Sequence, residues 1–375
     1  MENMQRTFKT ALRFIDIPLF CAAVLASLLG IILVHSATGG ASGAISRMVL
    51  VQVVALCLGM VCALILAYID FDVLHDLWLV FYAVAAAAII FTIFLGTGPS
   101  GDSNKNWINL GFVSIQPSEF VKIAYILIFS RAIDKCKDEI NSVKSLAYIG
   151  SVGGGLLLLM ALQGDMGNML VFLFITLAML FASGLSLKIF IVGIVTVTLA
   201  SPFLWTRVLS SYMRDRILFG FRPELDPSRY GYQALQSKIA IASGQLTGKG
   251  YLKGTQVKII PARETDFIFS TAGEEFGLIG CIVVVLILLF IMLRVLQIAR
   301  QSQNGGGIMA CTGLFALLFA QTFENVGMCL ALLPVVGITL PFFSYGGSSM
   351  LSIWCGVGLA LSVSAQSKRT LSFDV

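Results

Sequence analysis

The chain has 375 residues, of which 57% are hydrophobic and 12% are charged, with a formal net charge of +5 and a mean hydropathy of +0.91. Soluble globular domains carry about 25% charged residues, so this composition excludes a soluble protein and indicates an integral membrane protein. Only two histidines occur, which argues against a histidine-based metal site or a Ser/His/Asp triad.

Ten apolar segments approach the roughly 20 residues that a membrane-spanning helix needs. They cover residues 17–34, 48–69, 77–95, 117–133, 145–163, 166–186, 189–205, 276–293, 306–323 and 343–366. The fourth is the weakest, because it is short and contains Glu119 and Lys122. The pattern predicts an all-α integral membrane protein with about ten transmembrane helices, in a single polytopic domain over residues 1–375.

The distribution of lysine and arginine predicts the orientation of these helices. If Arg6, Lys9 and Arg13 lie inside, twelve basic residues fall in inner segments, whereas the short outer loops hold only Arg47 and Lys105. Because basic residues favour the cytoplasmic side, both termini are predicted to be cytoplasmic. The first span shows no cleavage pattern and is expected to be retained.

A long outer loop, residues 206–272, is predicted between the seventh and eighth helices. From Arg207 to Arg263 it contains ten basic and three acidic residues, so its partner is expected to be anionic, either lipid headgroups or a phosphorylated substrate. Nucleic acid is not expected on this face. Apolar residues recur at helical spacing from Tyr232 to Ala242 and predict a short amphipathic helix at the membrane surface, ended by Gly244.

Prolines and glycines interrupt the apolar sequence between residues 332 and 349. Pro334, Pro341 and the pair Gly346-Gly347 exclude one continuous helix. Irregular backbone at membrane depth is tolerated where it is buried in protein or lines a wet cavity. This segment is therefore predicted to form a cavity wall.

Asp266 is the foremost candidate for chemistry. It precedes the apolar triplet Phe267-Ile268-Phe269, and partial desolvation of a carboxylate raises its basicity, as a general base requires. The alternatives are that Asp266 caps the next helix or pairs with Arg263.

Other charged residues have both structural and functional interpretations. Glu119 and Lys122 are three residues apart, so they can pair on one helical turn as a functional or a purely structural ion pair. Asp165 can cap the sixth helix, and Glu274 and Glu275 are placed in the first turn of the eighth. Glu324 is expected either to pair with Lys122 or to face a cavity. The glycine-rich stretch 244–250 lacks P-loop spacing, so no nucleotide site is predicted.

Several motifs together resemble the SEDS family (shape, elongation, division and sporulation). The matching stretches are Trp107–Gly111, Gln116–Lys122, Gln163–Gly167, Gly231–Gln233, Gln236–Ile241, Gly248–Gly250, Gly254–Gln256, Thr265–Phe269, Gly273–Gly277 and Leu333–Ser349. The Gln236–Ile241 and Gly248–Gln256 stretches are more similar to the RodA-like elongation members than to the division members.

The resemblance implies a peptidoglycan glycosyltransferase that polymerises lipid II into glycan strands on the outer face of the bacterial cytoplasmic membrane, releasing lipid pyrophosphate. Asp266 matches the essential carboxylate of the family, as general base or as ligand of a divalent cation such as Mg²⁺ or Mn²⁺. The implied substrate-binding residues are Glu119, Lys122, Asp165, Lys238, Lys249, Gln256, Arg263, Ser348 and Ser349. The implied partners are lipid II, the nascent glycan strand and a class B penicillin-binding protein.

Two other classes of function fit parts of the pattern. Ten spans, an intramembrane ion pair and a broken helix also describe a flippase for lipid-linked precursors. A transporter, however, places its charged site near the membrane midplane, whereas Asp266 belongs to an outer loop. A non-catalytic scaffold for a transpeptidase would leave the basic loop and Asp266 unexplained.

Overall fold

The computed structural model describes residues 15–39, 46–98, 105–109, 111, 114–209, 211–229 and 231–373. Arg6, Lys9 and Arg13, which contributed to the predicted orientation, lie outside these residues. The described chain contains thirteen α-helices: α1 Ile17–Ala37, α2 Arg47–Tyr68, α3 Phe71–Asp76, α4 Trp78–Leu95, α5 Pro117–Lys135, α6 Val143–Gln163, α7 Met166–Ala182, α8 Leu187–Phe203, α9 Ser211–Phe221, α10 Tyr232–Ser243, α11 Ile268–Gln301, α12 Gly305–Cys329 and α13 Gly347–Phe373.

The all-helical membrane architecture is confirmed. Within the residues that the structure describes, eight helices are long and apolar enough to cross a membrane, namely α1, α2, α4, α6, α8, α11, α12 and α13. The two further predicted spans coincide with α5, which carries several charges, and α7, which has 17 residues. The number of ten spans therefore stays a prediction. The only strands in the described chain, β1 Ile108–Asn109 and β2 Ser114–Ile115, form an antiparallel pair before α5.

Helices α5, α12 and α13 form the centre of the bundle. Helix α13 packs along α2 and against α5, while α12 lies against α5, α7 and α11. Most residues of α12 and α13 are buried inside the protein, whereas no residue of α8 is buried. Glu119 and Lys122 on α5, and Gln321 and Asn325 on α12, are buried inside the protein.

Ion pairs connect the helices at the end of the bundle where α1 begins. Asp16, which is fully buried, caps α1 and accepts from Arg294 on α11, from Nε at 2.8 Å and from Nη2 at 2.7 Å. Arg369 on α13 pairs with Asp70 at 2.6 Å. We call this the clamp end, and the opposite end, which carries Asp266, the loop end.

Helix α10 confirms the predicted helix and its stop at Gly244, but it buries a different face. Ala234, Ser237 and Ala240 are buried against α11 and α12, while Ile239 is 48% exposed. The buried face consists of small residues because α10 approaches α11 closely: a side chain at Gly244 would clash with the backbone of Gly273. The spacing of small residues along α10, and not the spacing of its large apolar residues, therefore determines which face packs against α11.

Helix α11 begins at Ile268, within the predicted loop, and is broken at Gly277, which has a φ of +65°. This left-handed conformation favours glycine. The segment 245–250 replaces the lost helical hydrogen bonds: Lys249 N and Gly250 N donate to the carbonyls of Glu274 and Glu275, and Leu278 N donates to Gln245 O. The backbone groups freed by the break are thus satisfied inside the protein.

Candidate functional site

Asp266 lies at the loop end, directly before Phe267, the N-cap residue of α11. Phe267 and Ile268 are fully buried, whereas Asp266 itself is partly exposed. No side chain caps α11, and Arg263 donates from Nε to Ala37 O at 2.6 Å. Asp266 is therefore not a helix cap, and the described contacts of Arg263 go to backbone carbonyls.

The backbone of Asp266 is held by α12. The side-chain amide of Asn325 donates to Asp266 O and to Ile338 O, each at 2.7 Å, and Asn325 is fully buried. Cys329 Sγ lies 3.7 Å from Asp266 O. Asn325 thus joins the segment that contains Asp266 to the irregular segment after α12.

The irregular segment predicted between residues 332 and 349 is confirmed, since no helix forms between α12 and α13. It packs directly against the residues around Asp266: Ser344 Oγ donates to Thr265 O at 2.6 Å, and Tyr345 N donates to Glu264 O at 2.8 Å. Gly337, with a φ of +76°, lies close to the Asp266 carboxylate: a Cβ at this position would be 3.5 Å from Asp266 Oδ2. The segment forms one wall around the carboxylate.

The surroundings of Asp266 make its carboxylate more basic than usual. Burial raises its pKa to about 6, although the Arg216 charge and a hydrogen bond with Thr265 oppose this and Glu264 adds to it. A base is most effective when its pKa lies near the working pH. The site therefore provides a carboxylate that is ionised at neutral pH and still able to accept a proton.

A cavity of about 320 Å³ is linked to Asp266 through Arg216, although Asp266 is not among its lining residues. It is lined by Arg216, Ser228, Arg229, Tyr232, Gln233, Pro261 and Val335. Arg216 is fixed by a hydrogen bond from Nε to Val335 O at 2.6 Å and also acts electrostatically on Asp266. Two arginines in one cavity favour an anionic group, so we call it the arginine cavity.

The predicted Glu119–Lys122 ion pair is present on α5. Lys122 Nζ lies 2.8 Å from Glu119 Oε1 and 3.1 Å from Asn168 Oδ1, and both charged side chains are buried. The charge of Lys122 also acts on Glu324, but among the described residues Lys122 forms its ion pair with Glu119. Within the described chain, Glu119 Oε2 and Glu324 Oε2 are buried without a hydrogen-bond partner.

Asp165 caps α7 as predicted and also extends this polar network. Its carboxylate accepts from Asn168 N at 3.1 Å, from Asn168 Nδ2 at 2.8 Å and from Gln116 Nε2 at 3.3 Å. Gln116 N in turn donates to Ser348 Oγ, and Ser349 Oγ lies 3.0 Å from Thr339 Oγ1. The structure thus connects Glu119, Lys122, Asp165 and Ser348 in one chain of contacts.

The remaining predicted binding residues lie elsewhere around the loop end. Lys249 Nζ pairs with buried Glu274 at 2.5 Å, and Gln256 N donates to the same carboxylate at 2.9 Å. Lys238 is exposed on α10. The placement of Glu274 and Glu275 in the first turn of their helix was wrong. Because α11 begins at Ile268, the Glu274 carboxylate instead accepts backbone N–H groups of the loop, from Thr255 to Val257.

Sequence reasoning did not single out Asn325, Gly337 or Arg216. A signal for Asn325 was available, since it follows Glu324 in an otherwise apolar span. Gly337 and Arg216 carried no distinguishing local pattern, because their importance comes from their proximity to Asp266.

The described residues contain no group of three or more His, Cys, Asp and Glu side chains that could hold a metal ion. Mg²⁺ is, however, often bound through one or two carboxylates together with substrate phosphates. One carboxylate linked through Arg216 to a cavity suited to an anion fits that mode of binding, with Asp266 as the protein ligand.

Comparisons with known proteins agree with this arrangement. The family model of FtsW, RodA and SpoVE, described as cell cycle proteins, matches residues 17–369. The peptidoglycan glycosyltransferase MrdB of Escherichia coli K12 is 39% identical over 269 residues, covering 70% of this chain and 72% of the relative. Probable peptidoglycan glycosyltransferases FtsW from Geobacter and Trichlorobacter match at 32% to 36% identity.

Two solved structures share the fold over nearly the whole chain. One comes from work on the coordination of polymerization and crosslinking by a peptidoglycan synthase complex; it is 26% identical, with a TM-score of 0.80, covering 94% of this chain and 98% of that one. The rod shape determining protein RodA of Thermus thermophilus is 25% identical, with a TM-score of 0.70, covering 93% of this chain and 96% of that one.

Proposed function

Because the chain belongs to the FtsW, RodA and SpoVE family of cell cycle proteins and is a peptidoglycan glycosyltransferase, we propose that it polymerises lipid II into glycan strands with Asp266 as general base. The single observation that carries the assignment is a partly buried carboxylate with a raised pKa, on which the charge of Arg216 acts from a cavity lined by two arginines.

In this mechanism an Asp266 carboxylate oxygen accepts the proton of the 4-hydroxyl of one sugar. The hydroxyl oxygen then forms a bond to the anomeric carbon of the second sugar. The bond from that carbon to the lipid pyrophosphate breaks, and the pyrophosphate leaves with the electron pair. Pyrophosphate departs without protonation, so one base suffices, unlike the two carboxyl groups of glycoside hydrolysis.

The arginine cavity is assigned to the diphosphate. Arg216 and Arg229 can donate charge-assisted hydrogen bonds to its oxygens. Such donors stabilise the charge that develops on the leaving group. A divalent cation, when bound, would add to this stabilisation; holding that cation is the alternative role of Asp266, in place of acting as the base. No role is assigned to a nucleotide.

The polar network of α5 and α7 is proposed to shape the substrate site from inside the bundle. Lys122, oriented by Glu119 and Asn168, supplies a positive charge, and Asp165 is connected through Gln116 to Ser348. Glu119, Lys122, Asp165, Ser348 and Ser349 would then bind or position substrate. The exposed Lys238, together with Lys249, Gln256 and Arg263, is proposed to contribute at the rim.

The chain is a multi-pass membrane protein. We place it in the bacterial cytoplasmic membrane, with both termini cytoplasmic and the loop end on the outer side. An elongation role is supported by the RodA-like motifs and by the identity with MrdB. A class B penicillin-binding protein is the proposed partner, supported by the likeness to a chain of a peptidoglycan synthase complex.

The test is polymerisation by the purified full-length protein in detergent, supplied with lipid II and Mg²⁺, with and without the cognate transpeptidase. Asp266→Asn should abolish glycan strands, whereas Glu224→Gln, an exposed acid of the same loop, should retain them. Strands from the Asp266→Asn protein would rule out the base assignment. A wild-type protein that forms none, even with its partner, would instead contradict the polymerase assignment.

A further inference from the structure

Helix α9 is fixed to the rest of the protein by one of its faces. Gly220 packs against the irregular segment after α12, since a Cβ at this position would lie 2.5 Å from Pro334 Cα. One helical turn earlier, Arg216 donates from Nε to Val335 O at 2.6 Å. Residues four apart lie on the same side of a helix, so this inner face of α9 has a defined neighbour in the protein.

The other side of α9 is apolar, and the described chain does not cover it. Leu218 is 53% exposed, Phe221 is 56% exposed, and Leu225, in the short turn that follows, is 67% exposed. Arg214 precedes Leu218 by one turn on the same side and is partly exposed, and Arg222 follows Phe221 and is exposed. We call these five residues the outward face of α9, in which two arginines bracket the apolar side chains.

The place of α9 in the chain brings it to the membrane surface. Helix α8 belongs to an apolar span, Leu187–Arg207, and no residue of α8 is buried inside the protein, so lipid surrounds this helix. Ser211, the first residue of α9, follows Arg207 by four residues, and four residues extend over at most about 14 Å. Helix α9 therefore begins close to the headgroups at which α8 ends.

The charge of this part of the chain favours an anionic surface. Residues 207–225 contain four arginines and two acids, which gives a net charge of +2. Basic segments next to a membrane span are attracted to anionic phospholipids. Arginine side chains can lie along an apolar surface while their guanidinium groups reach the phosphates, so arginines within the outward face are compatible with contact to lipid.

A lipid surface also fits the size of the outward face better than a second protein does. Stable protein interfaces bury about 800 Å² on each partner, whereas α9 has 11 residues and offers two large apolar side chains on this side. A helix that lies in the membrane interface needs only a narrow apolar stripe at the acyl boundary, with basic residues beside it. The outward face has this composition.

We propose that the outward face of α9 docks on the bilayer and binds anionic phospholipid. The three apolar side chains enter the acyl boundary, and the two arginines donate to headgroup phosphates. The inner face of the same helix carries Arg216, which lines the arginine cavity, so the docked helix holds this cavity at the membrane surface. The inference concerns a lipid surface and does not depend on the proposed function.

Hydrogen–deuterium exchange of the purified full-length protein in lipid nanodiscs tests the docking without polymerisation. One kind of disc contains phosphatidylcholine alone, and the other contains phosphatidylcholine mixed with phosphatidylglycerol. A helix of 11 residues is marginally stable by itself, so its amide exchange responds to docking. Exchange of residues 211–222 should be slower by about tenfold or more with phosphatidylglycerol, because two arginines are attracted to the anionic surface. Inorganic phosphate added to the neutral discs should not reproduce this slowing.

Two double variants separate the apolar and the charged contributions. Leu218→Ser with Phe221→Ser should make exchange of residues 211–222 faster in both kinds of disc. Arg214→Gln with Arg222→Gln should remove the difference between the discs, and Arg222→Gln alone, at an exposed position, should reduce it. Lys253→Gln, which replaces an exposed basic residue of the same loop outside α9, should keep the wild-type difference.

Two results would overturn the docking face. One is equal exchange of residues 211–222 in the two kinds of disc for wild type; slowing by the added cognate transpeptidase in place of lipid would then assign the face to a protein partner. The other is a difference between the discs that persists in the double arginine variant. Since no lipid II is present, a protein that forms no glycan strands contradicts the proposed function and leaves this result unchanged.

Discussion

The side-chain amide of Asn325 donates to the backbone carbonyl of Asp266 at 2.7 Å. The same amide group donates to Ile338 O, so one buried side chain sets the distance between the candidate base and the irregular segment that walls its site. Asp266 is therefore positioned from α12, although in sequence it belongs to the loop before α11.

Replacement of Asn325 should reduce both stability and activity. Asn325→Ala leaves two carbonyls without this donor, at a cost of about 1–3 kcal/mol each in unfolding free energy. Loss of the Asn325 hydrogen bond should displace the Asp266 carboxylate. This displacement should lower kcat for lipid II polymerisation by about tenfold or more, with a smaller change in KM. Steady-state kinetics and thermal unfolding in detergent measure both effects. An unchanged kcat would show that Asn325 does not position the base.

The pH dependence of polymerisation should report Asp266. Because the base must be ionised and its pKa is about 6, kcat/KM should rise about tenfold per pH unit below pH 6 and level off above it. Arg216 lowers this pKa, so Arg216→Gln should move the acid limb to higher pH. Arg222→Gln, an exposed arginine of the same loop, should leave the limb in place. An acid limb at the same pH in Arg216→Gln and wild type would contradict the assignment of this limb to Asp266.

The same raised pKa has a consequence for stability. The folded protein binds this proton more tightly than the unfolded chain, in which the aspartate has its ordinary pKa of 3.8, so stability should fall as pH rises from about 4 to about 6. Asp266→Asn removes this ionisation. The variant should therefore unfold at a higher temperature than wild type at pH 7.5, with the difference shrinking towards pH 4. A lower unfolding temperature at pH 7.5 would be the contrary result.

Gly337 and Gly184 provide a matched pair of substitutions. Both have positive φ, +76° and +82°, but only at Gly337 would a Cβ meet a neighbour, Asp266 Oδ2 at 3.5 Å. Alanine at either position should cost about 1 kcal/mol of stability from backbone strain. Only Gly337→Ala should also reduce kcat and shift the pH profile. Equal activity of the two variants would show that the irregular segment around Gly337 does not contact the Asp266 carboxylate during catalysis.

The buried Glu119–Lys122 pair should be sensitive to single substitutions. Removing one partner of a buried ion pair costs about 3–5 kcal/mol, because the other charge is left uncompensated. Lys122→Met should therefore lower the unfolding temperature more than the double variant Lys122→Met, Glu119→Leu does. If the double variant is stable but inactive, the pair contributes to substrate binding. Full activity of the double variant would make the pair structural only.

Local pattern was sufficient to predict the membrane class, the approximate positions of the long apolar helices and the break after α12, but not the start of α11 at Ile268. These features depend on apolar segment length and on proline and glycine, which act within a few neighbouring residues. The Glu119–Lys122 pair and the Asp165 cap were predictable for the same reason, since both join residues three apart. Asp266 could be selected because an acid before buried aromatic residues is unusual.

The tertiary structure decided the features that join distant parts of the chain. Asn325 meets Asp266 across 59 residues, Ser36 meets Glu275 across 239, and Gln116 meets Ser348 across 232. The buried face of helix α10 was also not predictable from its own sequence, because it depends on the close approach of α11 and not on the apolar pattern of α10. Composition and periodicity specify which segments enter the membrane, whereas side-chain packing between the helices determines which polar groups end up facing one another.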